Sequence, residues 1–460
     1  MLIIRGGFNM QKRSSFSGKL GFVLAATGSA VGLGNIWRFP YLAAKYGGGT
    51  FLFIYLILAV TFGFTLMTAE IAIGRKTGLS AIGAFTILDK RFKFLGILAS
   101  AVPIIIFPYY SVIGGWVVKY FFVFVTGSGH TAAGDSYFTD FIGGTFEPIG
   151  WFFLFIAVTA VIVGFGVEQG IEKVSKFMMP ILVLLTLFVA LYGLTIDGAM
   201  DGLSYYLKPH MADVSAKTIL AAMGQLFYSM SLAMGIMITY GSYMKKENHL
   251  ESSVRQIEIF DTGVAFLAGL MIIPAVFAFS GGDSSALQAG PGLMFITLPK
   301  VFGNMKFGNV VGTVFFLLVF FAALTSAISL METIVSILRD KLGWTRKGTC
   351  VFVTILALVM GVPSSLGFGP LSFISWMGMS VLDIMDFVSN SVLMPIVAFF
   401  TCIFIGFVIK PSTIADEVKV TDGTFKGEKL FAVMIKWIAP IFLVLILLSS
   451  VASALGIFTL

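Results

Sequence analysis

Charge is scarce in this chain. Of 460 residues only 12% are Asp, Glu, Lys or Arg, while 58% are hydrophobic and mean hydropathy is +0.98. An ordinary soluble domain carries about twice that share of charge, so a water-soluble enzyme of this composition would have nowhere to hide its apolar surface. Cysteine is nearly absent. Cys350 and Cys402 both lie in apolar runs, where they suit packing, and a disulfide framework or thiolate metal site would need more of them. Imidazole is limited to His130, His210 and His249 in three separate loops, which leaves no cluster for zinc or haem. Disordered and collagen-like classes are excluded by the same composition. A secretory signal is not evident either: MLII is too short for an apolar core and precedes charge, and Met10, ahead of QKRSSFSGK, is an alternative start.

What the chain does have is apolar length. A hydrocarbon core of about 30 Å takes about 20 apolar residues per helix. Runs of that kind fall near 20–43, 51–73, 95–125, 149–166, 171–195, 215–243, 255–280, 308–338, 348–366, 380–409 and 431–458. They predict an all-α membrane protein of about eleven transmembrane helices; the alternating ten-residue pattern of an outer-membrane barrel is missing. Basic residues set the orientation. With a cytoplasmic N-terminus, the inner segments collect Arg5, Lys12, Arg13, Lys19, Arg75, Lys76, Lys90, Arg91 and Lys93, and pairs such as Lys245/Lys246 and Arg346/Lys347, whereas the segment 126–147 on the other side holds none. The positive-inside bias predicts a cytoplasmic N-terminus and, for an odd number of spans, an outer C-terminus. The net charge of +7 is mostly this bias and does not indicate nucleic-acid binding.

Two spans are interrupted. GSAVGLGNIWRFP, residues 28–40, puts three glycines, Asn35, Arg38 and Pro40 into the first. A regular helix would not stay whole there, and unwound backbone at membrane depth is tolerated only in protein or beside a cavity. GQLFYSMSLAMG, residues 224–235, is a second irregular stretch near mid-span. Interruptions in the first and sixth spans fit two inverted five-helix halves with a ligand between them; taken alone, they fit kinked packing helices equally well.

GSAVGLGNIWRFP followed by YGGGTF, then GQLFYSMSLAMG, then LTSAISLMET in the eighth span, resemble the neurotransmitter:sodium symporter family in its bacterial amino-acid branch. The resemblance covers almost the whole chain; the family's usual twelfth helix has no counterpart, as in other eleven-span bacterial members. It implies two inverted five-helix repeats with discontinuous helices 1 and 6. On that pattern 1–19 is a cytoplasmic tail, 20–195 and 214–409 are the repeats, 410–430 is a cytoplasmic loop and 431–460 is the eleventh helix. The implied activity is sodium-coupled import of an amino acid across the bacterial cytoplasmic membrane, with no enzymatic step, no nucleic acid, and a monomer sufficient for transport.

The resemblance also implies the sites. A buried zwitterion needs amide donors for its carboxylate and carbonyl acceptors for its ammonium. The carboxylate would meet amides near Leu33 and Gly34 and the hydroxyl of Tyr110; the ammonium would meet carbonyls of Ala30, Tyr228 and Ser229 and the hydroxyl of Ser231. Tyr110 otherwise reads as a core or interfacial tyrosine. The first sodium would take Ala30, Asn35, Ser229 and Asp261; the second would take Gly28, Val31, Ala322, Thr325 and Ser326, hard oxygens for a hard cation. Apart from the family, Thr325 and Ser326 read as hydroxyls bonding back to their helix. Asp261 departs from the family pattern, which has asparagine there, and chloride-dependent members carry a serine four residues later where this chain has Ala265. A fixed carboxylate could stand in for chloride or carry a proton; the plain alternative is a helix-end aspartate facing the cytoplasm.

Arg38 and Asp386 match the family's outer gate. Arg13 and Asp340, with Tyr243 and with Phe16 in place of a tryptophan, match the inner one. Tyr228 would roof the pocket. Glu70, an intramembrane acid, would accept hydrogen bonds from the unwound sixth span, and Gly170 and Pro180 match a motif that lets the fifth helix unwind at its cytoplasmic end. No acid or base stands among the side-chain positions Ser29, Ala233, Met234, Ala327 and Leu330, and Met234 is adaptable, which favours a bulky hydrophobic substrate: tyrosine, tryptophan, phenylalanine or leucine. An ion channel or an amino-acid sensor with the same fold would show similar breaks.

Overall fold

The structure, a computed structural model, describes residues 3–5, 8–10, 14–281 and 290–454. Its spans follow the apolar runs closely. The first is a bent pair, α1 (Lys19–Ala30) and α2 (Gly34–Lys45), followed by α3 (Gly49–Thr77). After a short α4 (Ala81–Leu88) come α5 (Lys90–Val125), α6 (Phe146–Gly164) and α7 (Val167–Gly193). A short α8 (Ala199–Leu207) precedes α9 (Ala216–Ser229) and α10 (Ile236–Tyr243), which fill the place of the sixth span. The chain continues through α11 (Leu250–Ser280), α12 (Leu293–Gly303), α13 (Gly308–Leu342), α14 (Arg346–Leu366), α15 (Val381–Val408), α16 (Pro411–Asp422) and α17 (Glu428–Ala454). Among the described residues nine helices are long and apolar enough to cross a membrane, and α1 with α2 makes a tenth. The helices α9 and α10 are each too short to span alone.

Among the described residues four helices of eight residues or more were not expected: α4, α8, α12 and α16. Each is too short or too polar to register as a span; α16 carries DEVKVTD and begins at Pro411, whose missing amide is one of the orphans of a first turn. A small antiparallel strand pair, Ile3–Arg5 with Phe8–Met10, is an exception to the all-α class.

Burial separates the spans. In α13 78% of the apolar window is buried and in α6 only 33%, so α13 runs through the interior against α5 while α6 turns Phe153 and Val161 outward. Outward apolar side chains suit lipid, which is as apolar as they are.

The first break is sharp. After Ala30 the backbone turns extended at Val31, α1 and α2 meet at 56°, and the first turn of α2, Gly34–Arg38, is wound wide, with the Phe39 amide reaching back to Gly34. Pro40 follows just after that widened stretch, in the first turn of the regular helix Phe39–Lys45. The second break is narrower than the motif suggested: α9 stays helical through Ser229, and only 230–235 unwinds. There Ser231 and Ala233 hold left-handed φ of 52° and 60°, at about 1–2 kcal/mol each for a residue with a side chain. Two bonds hold them. Ser231 Oγ donates to the Ser29 carbonyl at 2.9 Å, and the Ala233 amide donates to Glu70 Oε1 at 2.6 Å.

Candidate functional site

The two breaks face each other across one small cavity of about 40 Å³. Its walls include Ser29, Ala30, Leu33, Gly34 and Asn35 from the first break, Tyr228, Ser229, Ser231 and Met234 from the second, Tyr110 from α5, and Ser326 and Leu330 from α13. Gly32 of the first break also lines it, as do Ile106 and Ile236, which carried no signal of their own in the sequence. Ala233 and Ala327 do not line it. On α13 the cavity face is set by Ser326 and Leu330, four residues apart, and Ala327 is turned off that stripe; Ala233 sits in the left-handed turn that Glu70 holds.

Helix ends give this cavity its character. The carbonyls that close α1 lack helical partners, and Ser326 Oγ lies 3.4, 3.1 and 3.3 Å from those of Gly28, Ser29 and Val31. Orphan carbonyls at the negative end of a helix dipole favour a cation. Thr325 Oγ bonds back to Phe321 and Ala322 at 2.9 and 3.2 Å. At the start of α2 the dipole reverses, and the Leu33 amide points at Tyr110 Oη, 3.5 Å away. Gly34 allows a close approach: a Cβ there would stand 2.8 Å from the Tyr228 ring. A chain of hydroxyls runs from Ser329, unremarked in the sequence, to Ser29 (2.7 Å) and on to Ser231 (3.2 Å).

Beside this lies Asp261, fully buried within α11 rather than at a helix end. Asn35 Nδ2 donates to Asp261 Oδ1 at 2.8 Å, Ser229 Oγ lies 3.1 Å from both carboxylate oxygens, and the Gly32 amide donates to Asn35 Oδ1 at 3.0 Å. Gln225 Nε2 ties the Gly34 carbonyl at 2.9 Å from the neighbouring turn of α9. One carboxylate and several neutral oxygens therefore converge where the first break, α9 and α11 meet, a donor set suited to a monovalent hard cation.

The sequence profile of the Sodium:neurotransmitter symporter family matches residues 13–140 and 146–457. The chain belongs to that family. It is 35% identical to the uncharacterized sodium-dependent transporter YhdH of Bacillus subtilis, over 95% of this chain and 98% of that protein. It is 26% identical to the sodium- and chloride-dependent GABA transporter ine of Drosophila melanogaster, over 90% of this chain and 48% of that longer protein. Among solved structures it is similar to MhsT in complex with L-phenylalanine, with a TM-score of 0.86, 38% identity, and coverage of 95% of this chain and 100% of the other. The chain is thus a sodium-dependent, multi-pass membrane transporter and not an enzyme.

In this symporter the faces above and below the cavity differ. Above Tyr228 a vestibule of about 340 Å³ is lined by Arg38, Asp386, Tyr109 and Asn390, with Leu33, Tyr110 and Tyr228 shared between the two cavities. Tyr228 thus forms the partition. Arg38 and Asp386 do not pair: the guanidinium lies 4.8 Å from the Tyr228 ring centre, a cation–π contact, while Asp386 Oδ1 accepts from Tyr109 (2.9 Å) and Asn390 (2.6 Å).

On the face holding the N-terminus, the Phe16 ring packs edge-on against Phe22, Tyr240 and Tyr243, and its amide donates to the Tyr243 carbonyl at 3.2 Å. Tyr243 Oη donates to Glu332 Oε1 at 2.7 Å, and Glu332 also pairs with Arg346, whose Nε reaches the Val163 carbonyl at 2.8 Å. Neither Glu332 nor Arg346 was singled out, since Arg346 counts among the rim charges that set orientation. Arg13 lies outside the described residues, and Asp340 accepts from the amide (2.8 Å) and hydroxyl (2.6 Å) of Ser80. Gly170 falls in the wide first turns of α7, Val167–Glu172, and Pro180 is inside that helix.

Proposed function

We propose that this symporter imports a bulky hydrophobic or aromatic L-amino acid with sodium, by alternating access. The observation that carries the reading is the meeting of both broken helices at one cavity, with carbonyls from the end of α1 and amides from the start of α2 opening onto it. Opposed helix ends provide for both charges of a zwitterion without a charged side chain in the pocket. Ala30, Asn35, Ser229 and Asp261 would hold the first sodium, and Gly28, Val31, Ala322, Thr325 and Ser326 the second. Tyr110 and the Leu33 and Gly34 amides would take the substrate carboxylate, and Ala30, Tyr228, Ser229 and Ser231 its ammonium. Met234, Leu330 and Ile106 leave an apolar, adaptable space for the side chain, and the phenylalanine named with MhsT supports an aromatic guest. Arg38, Tyr228 and Asp386 would close the outer mouth; Phe16, Tyr243, Arg13 and Asp340 would close the inner one. Residues 20–195 and 214–409 are read as inverted repeats, and the basic residues support a cytoplasmic N-terminal face in a bacterial cytoplasmic membrane. A single chain carries the whole pathway. Asp261 would supply a fixed negative charge beside the first sodium and make transport independent of chloride, in contrast to the chloride dependence named for the Drosophila transporter above.

Radiolabelled uptake into proteoliposomes tests this. We expect saturable phenylalanine, tyrosine, tryptophan or leucine uptake that needs an inward sodium gradient and persists when gluconate replaces chloride. Preferred competition by glycine and alanine would overturn the substrate class. Collapse in gluconate would overturn the role of Asp261, and binding without flux would indicate a sensor.

A further inference from the structure

Glu172 has no part in the sites described above, yet it is buried to 2% exposure at the N-terminal face. It closes the wide turns that begin α7. Its Oε2 accepts the Ser17 amide at 2.8 Å, its Oε1 accepts the Ser17 hydroxyl, and Lys176 pairs with it at 2.6 Å. The Ser17 carbonyl in turn accepts from Lys245 at 3.1 Å, just beyond α10. Ser17 is the residue after Phe16, whose ring fills the space between Phe22, Tyr240 and Tyr243. The carboxylate also occupies a notch cut for it. A Cβ on Gly21 would stand 2.1 Å from Oε1 and 2.3 Å from Cδ of Glu172, so only glycine lets the carboxylate lie against α1 and reach Ser17.

We propose that Glu172 is a positioning residue of the inner gate: seated in the Gly21 notch, it latches the Phe16 plug to the turns of α7 that carry Gly170. The inference rests on the alternating-access reading above and adds a mechanical link to it. Unwinding the start of α7 withdraws the carboxylate from Ser17, and freeing Ser17 lets Phe16 leave its aromatic cage. The two events then occur together. Charged hydrogen bonds suit such a latch because water can solvate both partners once it opens.

Hydrogen–deuterium exchange on the purified full chain tests the link without depending on the substrate. For Glu172→Ala we expect exchange to rise about tenfold in residues 14–24 and, together with it, in 167–176, as local opening is made easier. Glu172→Gln keeps an acceptor for Ser17 and loses the Lys176 pair, so it should give a smaller rise in the same two segments. Gly21→Ala should match Glu172→Ala, because its methyl displaces the carboxylate. The double variant should be no worse than Glu172→Ala alone, since the methyl then has nothing to displace. A rise confined to 167–176, additive effects in the double variant, or a rise spread equally over α14 and α17 would each overturn the latch. Absence of amino-acid uptake with the paired rise intact would instead count against the transport reading.

Discussion

Arg38 and Asp386 share a vestibule without touching, each satisfied by aromatic or amide neighbours, whereas on the N-terminal face Glu332, Arg346, Tyr243, Glu172 and Ser17 are joined into direct charged bonds. The same residue types thus behave in two ways within one chain. Where water reaches them, opposite charges gain little by pairing. Where protein surrounds them, an unpartnered charge is costly and pairing becomes obligatory. The contrast separates a vestibule side where Arg38 and Asp386 make no direct pair from an opposite side tied by direct charged bonds.

The largest break in that contrast should come from Glu332→Ala. It leaves the Arg346 guanidinium facing a protein interior without its carboxylate, which costs about 3–5 kcal/mol for a buried pair; a large fall in the unfolding temperature of the detergent-purified protein measures it. Gly34→Ala acts at the partition between the cavities. Its methyl meets the Tyr228 ring at 2.8 Å, and we expect substrate affinity to fall by tenfold or more, read by equilibrium binding, with a smaller loss of stability of about 1–3 kcal/mol from overpacking. Asp386→Asn sharpens the comparison: uptake should fall severalfold while stability changes by less than about 1 kcal/mol, as expected for a carboxylate without an ion pair. A destabilisation equal to that of Glu332→Ala would erase the distinction between the two faces. The smallest effect is expected at Asp135, exposed in the segment beyond α5. The Lys300 ammonium, 2.5 Å away, holds its carboxyl below the ordinary aspartate value. That tie is therefore present at neutral pH and is lost only as pH falls through the lowered value. Asp135→Asn should leave uptake and unfolding at pH 7 unchanged within error.

Much of the fold can be read from apolar run lengths, because each span must bury about 20 residues in hydrocarbon whatever its neighbours. The run at 255–280 became Leu250–Ser280 and the run at 380–409 became Val381–Val408. The first break was legible for a local reason, since Gly28, Gly32, Gly34 and Pro40 weaken a helix wherever they stand. The second was placed too widely. Residues 224–229 remain helical and the strain concentrates at Ser231 and Ala233, where Glu70 and Ser29 hold it from other spans. Ala327 shows another limit: helix rotation decides that Ser326 and Leu330 face the cavity and their neighbour does not. The bond between Glu332 and Arg346 crosses from α13 to α14, and no local pattern marks it.

By itself, then, the sequence determined a bundle of membrane spans, the family, and the place where the first span comes apart, because apolar length and glycine and proline act through the nearby chain. The tertiary structure decided which helix ends meet at the cavity, that Arg38 and Asp386 stand apart, and that Asp261 is enclosed with Asn35 and Ser229. Those outcomes depend on which residues from distant spans exclude water together. Dielectric and hydrogen-bond satisfaction are properties of the packed interior, and no single segment carries them.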